Sequence, residues 1–93
     1  MIAIEEIKIK IKGIVQGVGF RYYIKSESEK LGLRGRAKNL IDGSVEIIAQ
    51  GERDQLETLI ENVNNGGPLS AEVSDIEVSW SRPEAKIKDF NIE

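Results

Sequence analysis

The feature that most constrains the fold is the junction at residues 13–21, where a strand pattern changes into a helix pattern. Three isoleucines alternate with three lysines over residues 7–12, and this period of two predicts a strand with one buried face over residues 4–13. Beyond the junction, one helical stripe is formed by Phe20, Tyr23, Ile24, Ser28 and Leu31. The chain therefore passes from a strand into a helix through a short turn that contains Gly17 and Gly19.

This glycine-containing turn has the parts of an oxyanion cradle. Gly17 and Gly19 allow positive φ, so several backbone N–H groups can converge on one ligand, and the helix adds its free N-terminal N–H groups and its dipole. Arg21 adds a planar set of donors that matches the oxygens of a phosphoryl group. A cation is unfavourable at a helix N-terminus unless an anion binds there, which favours a functional role for Arg21. From these residues alone, a tight connection without a ligand stays the alternative.

Two nucleotide-binding motifs do not fit this segment. A Walker A loop requires Gly-Lys followed by Ser or Thr, whereas this chain has Gly19-Phe20-Arg21. The dinucleotide-binding motif requires a third glycine, and Tyr22 occupies its position. The turn therefore favours a phosphate-like ligand, but it matches neither of these two nucleotide-binding motifs.

The composition excludes several kinds of chemistry. The chain of 93 residues has neither Cys nor His, which excludes thiolate nucleophiles, imidazole bases, disulfides and the usual zinc sites. The acidic residues form no evident metal-binding pattern, so we expect no cofactor and no metal. Any catalysis must then work by positioning and electrostatics.

Charge and hydropathy argue against two classes of binding partner, nucleic acids and membranes. A net charge of −3 and a pI near 5.1 argue against a nucleic-acid surface. No apolar run is long enough to span a bilayer, and Glu5 and Glu6 interrupt any signal-peptide pattern. We therefore expect one cytoplasmic domain over residues 1–93 that acts as a monomer on a small molecule, without membrane or nucleic-acid partners.

The rest of the chain continues the alternation of strands and helices. Gly32 is placed to end the first helix, and Asp42-Gly43 indicates a tight hairpin within residues 34–50. A second helical stripe ends at Gly66-Gly67-Pro68 and contains Leu56, Leu59, Ile60 and Val63. A fourth strand around residues 73–80 changes phase near Ser74-Asp75, which indicates a bulge, and Phe90 and Ile92 indicate a short edge strand. The order β-α-β-β-α-β predicts an α+β, ferredoxin-like sandwich, with one antiparallel sheet and two helices on one face.

Several separate segments, taken together, resemble one family over nearly the whole chain. They are Gly13-x-Val15-Gln16-Gly17-Val18-Gly19-Phe20-Arg21, Gly35-x-Ala37-x-Asn39, Asp42-Gly43-Ser44-Val45-Glu46 and Gly67-Pro68-x-x-Ala71-x-Val73. The chain resembles the acylphosphatases, small enzymes of ferredoxin-like fold that hydrolyse carboxyl-phosphate anhydrides. It departs from the family pattern at Ser28, where a small apolar residue is commoner, and over residues 81–88, which match little.

The resemblance implies roles for particular residues. Arg21 corresponds to the phosphate-binding arginine, and Asn39 corresponds to the residue that orients the attacking water. The cradle N–H groups would come from Gln16, Gly17, Val18, Gly19 and Phe20. This chemistry suits a chain without histidine, because the leaving carboxylate has a conjugate acid with a pKa of about 4 and needs no general acid. The implied reaction is metal-independent hydrolysis without a covalent intermediate.

Some residues have competing interpretations. Asn39 alone would more often be a turn or strand-edge residue, although its alternation with Ala37 predicts that it faces inward. Spacing places Tyr23 in the core and leaves Tyr22 undecided, whereas Trp80 is expected to be a packed strand residue. The lysines of the first strand fit a solvated sheet face.

Two functions compete with acylphosphatase activity. One is a non-catalytic anion-binding regulatory module on the same fold, similar to acylphosphatase-like domains within larger maturation enzymes, which the chain length disfavours. The other is a sheet that binds single-stranded RNA, which would need aromatic residues on the central strands. Those strands have none.

Overall fold

A computed structural model describes residues 3–93 of the chain. Within them, the elements are β1 (Glu5–Ile14), α1 (Phe20–Lys30), β2 (Arg34–Asn39), β3 (Val45–Gly51), α2 (Arg53–Asn64), β4 (Glu72–Ser81) and β5 (Phe90–Ile92). This is the predicted β-α-β-β-α-β order with a short additional strand. Each predicted element is present, with ends that differ by one or a few residues. No helix among the described residues is both long and apolar enough to cross a membrane.

The strands form one sheet in the order β4-β1-β3-β2-β5. The pairs among β1, β2, β3 and β4 are antiparallel, as predicted, whereas β5 pairs with β2 in parallel, so the five-stranded sheet is mixed. Residues 82–89 explain this direction. They leave the last residue of β4 at the end of the sheet where β2 begins, and they lead from β4, the outer strand on one side, to β5, the outer strand beyond β2. A strand that enters from that end must run parallel to β2.

Both helices cover the same face of the sheet. Three alternating isoleucines of β1 are buried beneath them together with residues of both helices: Ile7, Ile9 and Ile11 of β1, Phe20 and Ile24 of α1, and Leu56, Leu59 and Val63 of α2. The lysines of β1 point to the opposite face and pair with acidic residues: Lys8 with Glu46, Lys10 with Asp42 and Lys12 with Glu77. The prediction of a solvated sheet face is confirmed, because these ion pairs are exposed or half-exposed.

A bulge separates the last residues of β1 and β4 from the rest of their ladder. Lys12 pairs with Asp75 and Gly13 pairs with Val73, so Ser74 is the extra residue that the change of phase predicted. Gly13 has a φ of 132°, and a Cβ atom there would lie 2.1 Å from the carbonyl oxygen of Glu72. Glycine is therefore required at this close approach of two backbones.

One edge of the sheet brings together the segments that the sequence singles out. Since β1 runs antiparallel to β3 and β4, and β2 runs antiparallel to β3, β1 and β2 end where β3 and β4 begin. The turn into α1 leaves from this edge, and Asn39 ends β2 there. The pairing of the strands thus places the glycine turn near Asn39, although the two are separated along the chain by a helix.

Candidate active site

Residues 15–19, here called the cradle loop, connect β1 to α1. Gly17 has a φ of 75° and Gly19 a φ of 80°, which confirms the predicted left-handed backbone at both glycines. Gly19 is the N-cap of α1 and offers no side chain to the first turn of the helix. In the described part of the chain, no protein acceptor takes a hydrogen bond from the backbone N–H groups of residues 16–19. The loop therefore presents a series of unpaired donors next to a helix N-terminus.

Both ends of the cradle loop are fixed in the protein. Val15 and Phe20 flank its exposed glycines and are each only 1% exposed. The Phe20 ring meets the Tyr23 ring edge to face, with 6.0 Å between ring centroids. On the other side, Ser70 Oγ donates a hydrogen bond of 3.0 Å to the carbonyl oxygen of Val18. These contacts hold the loop in place without using its N–H groups.

Arg21 is the second residue of α1, beside the cradle loop. Its Nη1 donates a hydrogen bond of 2.7 Å to the backbone oxygen of Glu93, which lies 72 positions away in the sequence. The Glu93 side chain pairs in turn with Arg36 of β2, at 3.4 Å from Nε to Oε2. One of the five N–H donors of the guanidinium thus fixes its position, and the others can face a ligand. The sequence carried no signal for this contact.

Asn39 is the last residue of β2 and pairs with Val45. Asn39 is two residues after the fully buried Ala37 and therefore lies on the same face of β2. Its side chain is half-buried, which agrees with the prediction that it faces inward. Its Oδ1 atom is buried and has no hydrogen-bond partner among the described residues. Because buried polar atoms are nearly always paired, this oxygen is a notable exception in the structure.

The Gln16 side chain joins the cradle loop to the turn at residues 40–44. Its Nε2 donates to the carbonyl oxygen of Leu40 at 2.7 Å and to that of Ser44 at 2.9 Å. The sequence assigned Gln16 only a backbone N–H in the cradle, so this role of its side chain was missed. The amide group, with two donors on one nitrogen, is the only signal that could have indicated it.

The turn itself is held by Asp42. Ser44 donates to Asp42 Oδ1 through both its hydroxyl and its backbone N–H, and Lys10 lies 2.9 Å from Oδ2. The Ser44 hydroxyl, followed by Lys10, holds the pKa of Asp42 well below its usual range, and Asp42 raises the pKa of Lys10. Asp42-Gly43 predicted a tight hairpin, and the observed connection is a longer turn with Gly43 at a φ of 93°.

The other aromatic residues differ in their relation to this edge. Tyr22 follows Arg21 and is 68% exposed, whereas Tyr23 packs against the core, as predicted. Trp80 pairs with Ile7 near the start of β1, towards the opposite edge of the sheet. It is 37% exposed, and the guanidinium of Arg53 covers its ring at 4.3 Å from the centroid. Across residues 3–93, no group of three acidic, His or Cys side chains is arranged to hold a metal ion.

Fold and loop together define a class of protein, a ferredoxin-like sandwich with unpaired N–H groups at a strand-to-helix turn. The family model of the acylphosphatases matches residues 7–92. An acylphosphatase from Bacillus subtilis is 42% identical with a TM-score of 0.90, and the match covers 96% of this chain and 98% of that one. An acylphosphatase from Coxiella burnetii is 36% identical with a TM-score of 0.90, covering 98% and 94%. The chain belongs to the acylphosphatase family.

A third similar structure is much longer than this chain. Full-length HypF in its phosphate- and nucleotide-bound form is 30% identical with a TM-score of 0.92, and the match covers 100% of this chain but 12% of HypF. The same domain therefore also occurs as a small part of a larger protein.

Proposed function

We propose that this chain hydrolyses the carboxyl-phosphate bond of acyl phosphates to a carboxylate and inorganic phosphate. One observation carries the proposal: Gln16 joins the cradle loop to the end of β2, and neither the N–H groups of that loop nor the buried Oδ1 of Asn39 has a partner within residues 3–93. The residues proposed to bind the phosphoryl oxygens and the residue proposed to bind water are thus close to one edge of the sheet, which supports the proposal. Membership of the acylphosphatase family supports the same reaction.

Binding of the phosphoryl group falls to the cradle loop and Arg21. The N–H groups of residues 16–20 and the N-terminal end of α1 offset the negative charge of the phosphoryl oxygens. Arg21 adds its remaining donors, and the hydrogen bond to Glu93 restricts where the guanidinium can be. These donors are in place before the substrate binds, so they stabilise the charge of the transition state without reorganisation.

Hydrolysis then requires one water molecule in line with the bond that breaks. The Asn39 carboxamide, which has one acceptor and two donors, holds this water by a hydrogen bond and so directs an oxygen lone pair towards phosphorus. A bond forms between the water oxygen and phosphorus, while the bond between phosphorus and the acyl oxygen breaks and its electron pair leaves with the carboxylate. The proton of the water passes to a phosphoryl oxygen, and no metal or covalent intermediate is needed.

A non-catalytic phosphate-binding module is the second candidate, and the match to HypF favours it. HypF contains the matched domain as 12% of a longer chain, in a structure of its phosphate- and nucleotide-bound form. Such a module would use the cradle loop but would have no need for a water-binding group at Asn39. The two functions therefore differ in what Asn39 does.

Hydrolysis of benzoyl phosphate in water enriched in ¹⁸O tests the proposal. Attack on phosphorus places the label in inorganic phosphate, at a rate above that of the spontaneous reaction. Label in benzoate would contradict the proposed attack. Binding of phosphate without any accelerated hydrolysis would favour the non-catalytic module.

A further inference from the structure

We propose that the Gln16 side chain is a positioning residue that sets the distance between the cradle loop and Asn39. This inference rests on the proposed function and adds a role for a side chain whose backbone alone was assigned to the cradle. Gln16 does not touch the reacting atoms through its carboxamide. It acts through the turn that follows Asn39.

The two hydrogen bonds of Gln16 cross from one half of the site to the other. Both hydrogens of Nε2 are used, one on the Leu40 carbonyl at 2.7 Å and one on the Ser44 carbonyl at 2.9 Å. Leu40 directly follows Asn39, so the first bond is made one residue from the proposed water-binding group. Gln16 itself stands at the start of the exposed part of the cradle loop. The side chain is therefore a short bridge between the phosphate-binding and water-binding segments.

The turn does not need Gln16 in order to form. The Leu40 N–H donates to the Ser44 carbonyl at 2.9 Å, and the Gly43 N–H donates to the Leu40 carbonyl at 3.1 Å. Asp42 closes the turn further through Ser44 and Lys10. Each of the two carbonyls thus keeps a backbone donor when the bond to Gln16 is removed, and no buried acceptor is left unpaired. What the Gln16 bonds add is the attachment of this turn to the cradle loop.

Asn39 depends on that attachment because its side-chain oxygen has no other support. No described residue donates to its buried Oδ1, so this atom is placed by the backbone at the end of β2. A shift of the turn relative to the cradle loop would move the bound water away from the line of attack on phosphorus. Misplacement by about 1 Å can lower the rate about 100-fold, even when binding is unchanged.

Gln16→Leu tests the proposal because it keeps the approximate size of the side chain and removes both donors. We expect kcat for benzoyl phosphate to fall about 10- to 100-fold. We expect KM and the inhibition constant of inorganic phosphate to change less than about threefold, because the cradle N–H groups stay in place. A loss of phosphate affinity equal to the loss of kcat would instead show that the substitution collapses the cradle loop, and it would overturn the proposal.

Gln50→Leu is the matched control. Gln50 also uses Nε2 to join two segments, donating to Glu6 Oε1 at 2.8 Å and to the Ala85 carbonyl at 2.7 Å, but at the far end of β3. We expect this variant to lose thermal stability and to keep its kcat at a temperature where it is folded. An equal fall of kcat in both variants would mean that breaking any such bridge between segments impairs the enzyme, and the specific role of Gln16 would be wrong.

Gln16→Glu separates positioning from simple filling of space. A carboxylate facing the Leu40 and Ser44 carbonyls cannot donate, and this surrounding raises its pKa above the ordinary value of about 4.3. When protonated, it regains one donor. We expect the activity relative to wild type to increase as the pH falls from 7 to about 5. A ratio that does not change with pH would contradict the proposal.

The outcome for the wild-type protein separates this proposal from the proposed function. Wild-type hydrolysis with an unchanged kcat in Gln16→Leu overturns the positioning role alone. Absence of hydrolysis by the wild type overturns the proposed function and the positioning role with it. Wild-type hydrolysis, a selective loss of kcat in Gln16→Leu and recovery of Gln16→Glu at low pH together support both.

Discussion

Replacement of Asn39 by alanine separates the proposed catalytic contribution of this residue from its contribution to stability. Groups that orient a reactant or stabilise charge usually account for about 10²- to 10³-fold in kcat, or about 3–4 kcal/mol. We expect Asn39→Ala to lower kcat for benzoyl phosphate by this factor. KM should change little, because the cradle loop and Arg21 still bind the phosphoryl group.

The structure predicts that this loss of activity has little cost in stability. An unpaired buried oxygen destabilises a folded protein by about 1–3 kcal/mol, and the substitution removes Oδ1 of Asn39, which has no partner among the described residues. This gain offsets the weaker van der Waals packing that follows from removing a half-buried carboxamide. The free energy of unfolding should therefore change by less than about 1 kcal/mol, which is a Tm shift of no more than about 4–8 °C in a domain of this size.

Steady-state kinetics and thermal unfolding of the same preparation measure the two effects. Asn62→Ala serves as a control, since Asn62 lies on α2 and bonds only weakly to Glu27, at 3.4 Å. It should keep the wild-type kcat. A kcat of Asn39→Ala near the wild-type value would refute the water-orienting role. A fall of more than about 2 kcal/mol in the free energy of unfolding would show that the Asn39 carboxamide makes a stabilising hydrogen bond in the folded protein.

Three further substitutions test other parts of the structure. Arg21→Lys keeps the charge but replaces the planar fork of the guanidinium with three donors on a single nitrogen, so kcat/KM should fall about 100-fold and phosphate should bind more weakly; unchanged kinetics would contradict this. Ser28→Ala removes a buried hydroxyl that has no hydrogen-bond partner in the described part of the chain, so it should raise the unfolding free energy by about 1 kcal/mol in a urea titration, whereas a decrease would reveal a partner. Asp42 has a folded pKa below its ordinary value of 3.8, so its contribution to stability is present above that pH and is lost as the pH falls further. At acidic pH, the Tm of Asp42→Asn should therefore fall less steeply with decreasing pH than the Tm of the wild type. An equally steep fall in both proteins would contradict this.

The local features of the fold could be predicted from the sequence because each depends on neighbouring residues. Alternation of isoleucine and lysine predicted β1, and the phase change near Ser74 predicted the bulge. The two glycines of the cradle loop predicted positive φ, which the backbone has at both positions. These patterns record which face is buried or which backbone conformation is required, and both can be read from the identity of a few adjacent residues.

Contacts between distant residues could not be predicted in the same way. The bond from Arg21 to Glu93, the bridge from Gln16 to the turn after β2 and the parallel pairing of β5 all depend on how the elements meet in space. Arginine and glutamine have long side chains with several possible partners, so residue type alone does not select one. The roles that the family resemblance implies for Arg21 and Asn39 stay predictions until the variants are measured.

Phosphate release from benzoyl phosphate by the wild-type protein, measured with and without EDTA, is the decisive test of whether this chain is a metal-independent hydrolase. We expect release well above the spontaneous rate and the same rate after EDTA, because the proposed mechanism uses only Arg21, Asn39 and backbone N–H groups. A rate no higher than the spontaneous one, with inorganic phosphate still bound at the cradle loop, would contradict it and identify a binding module.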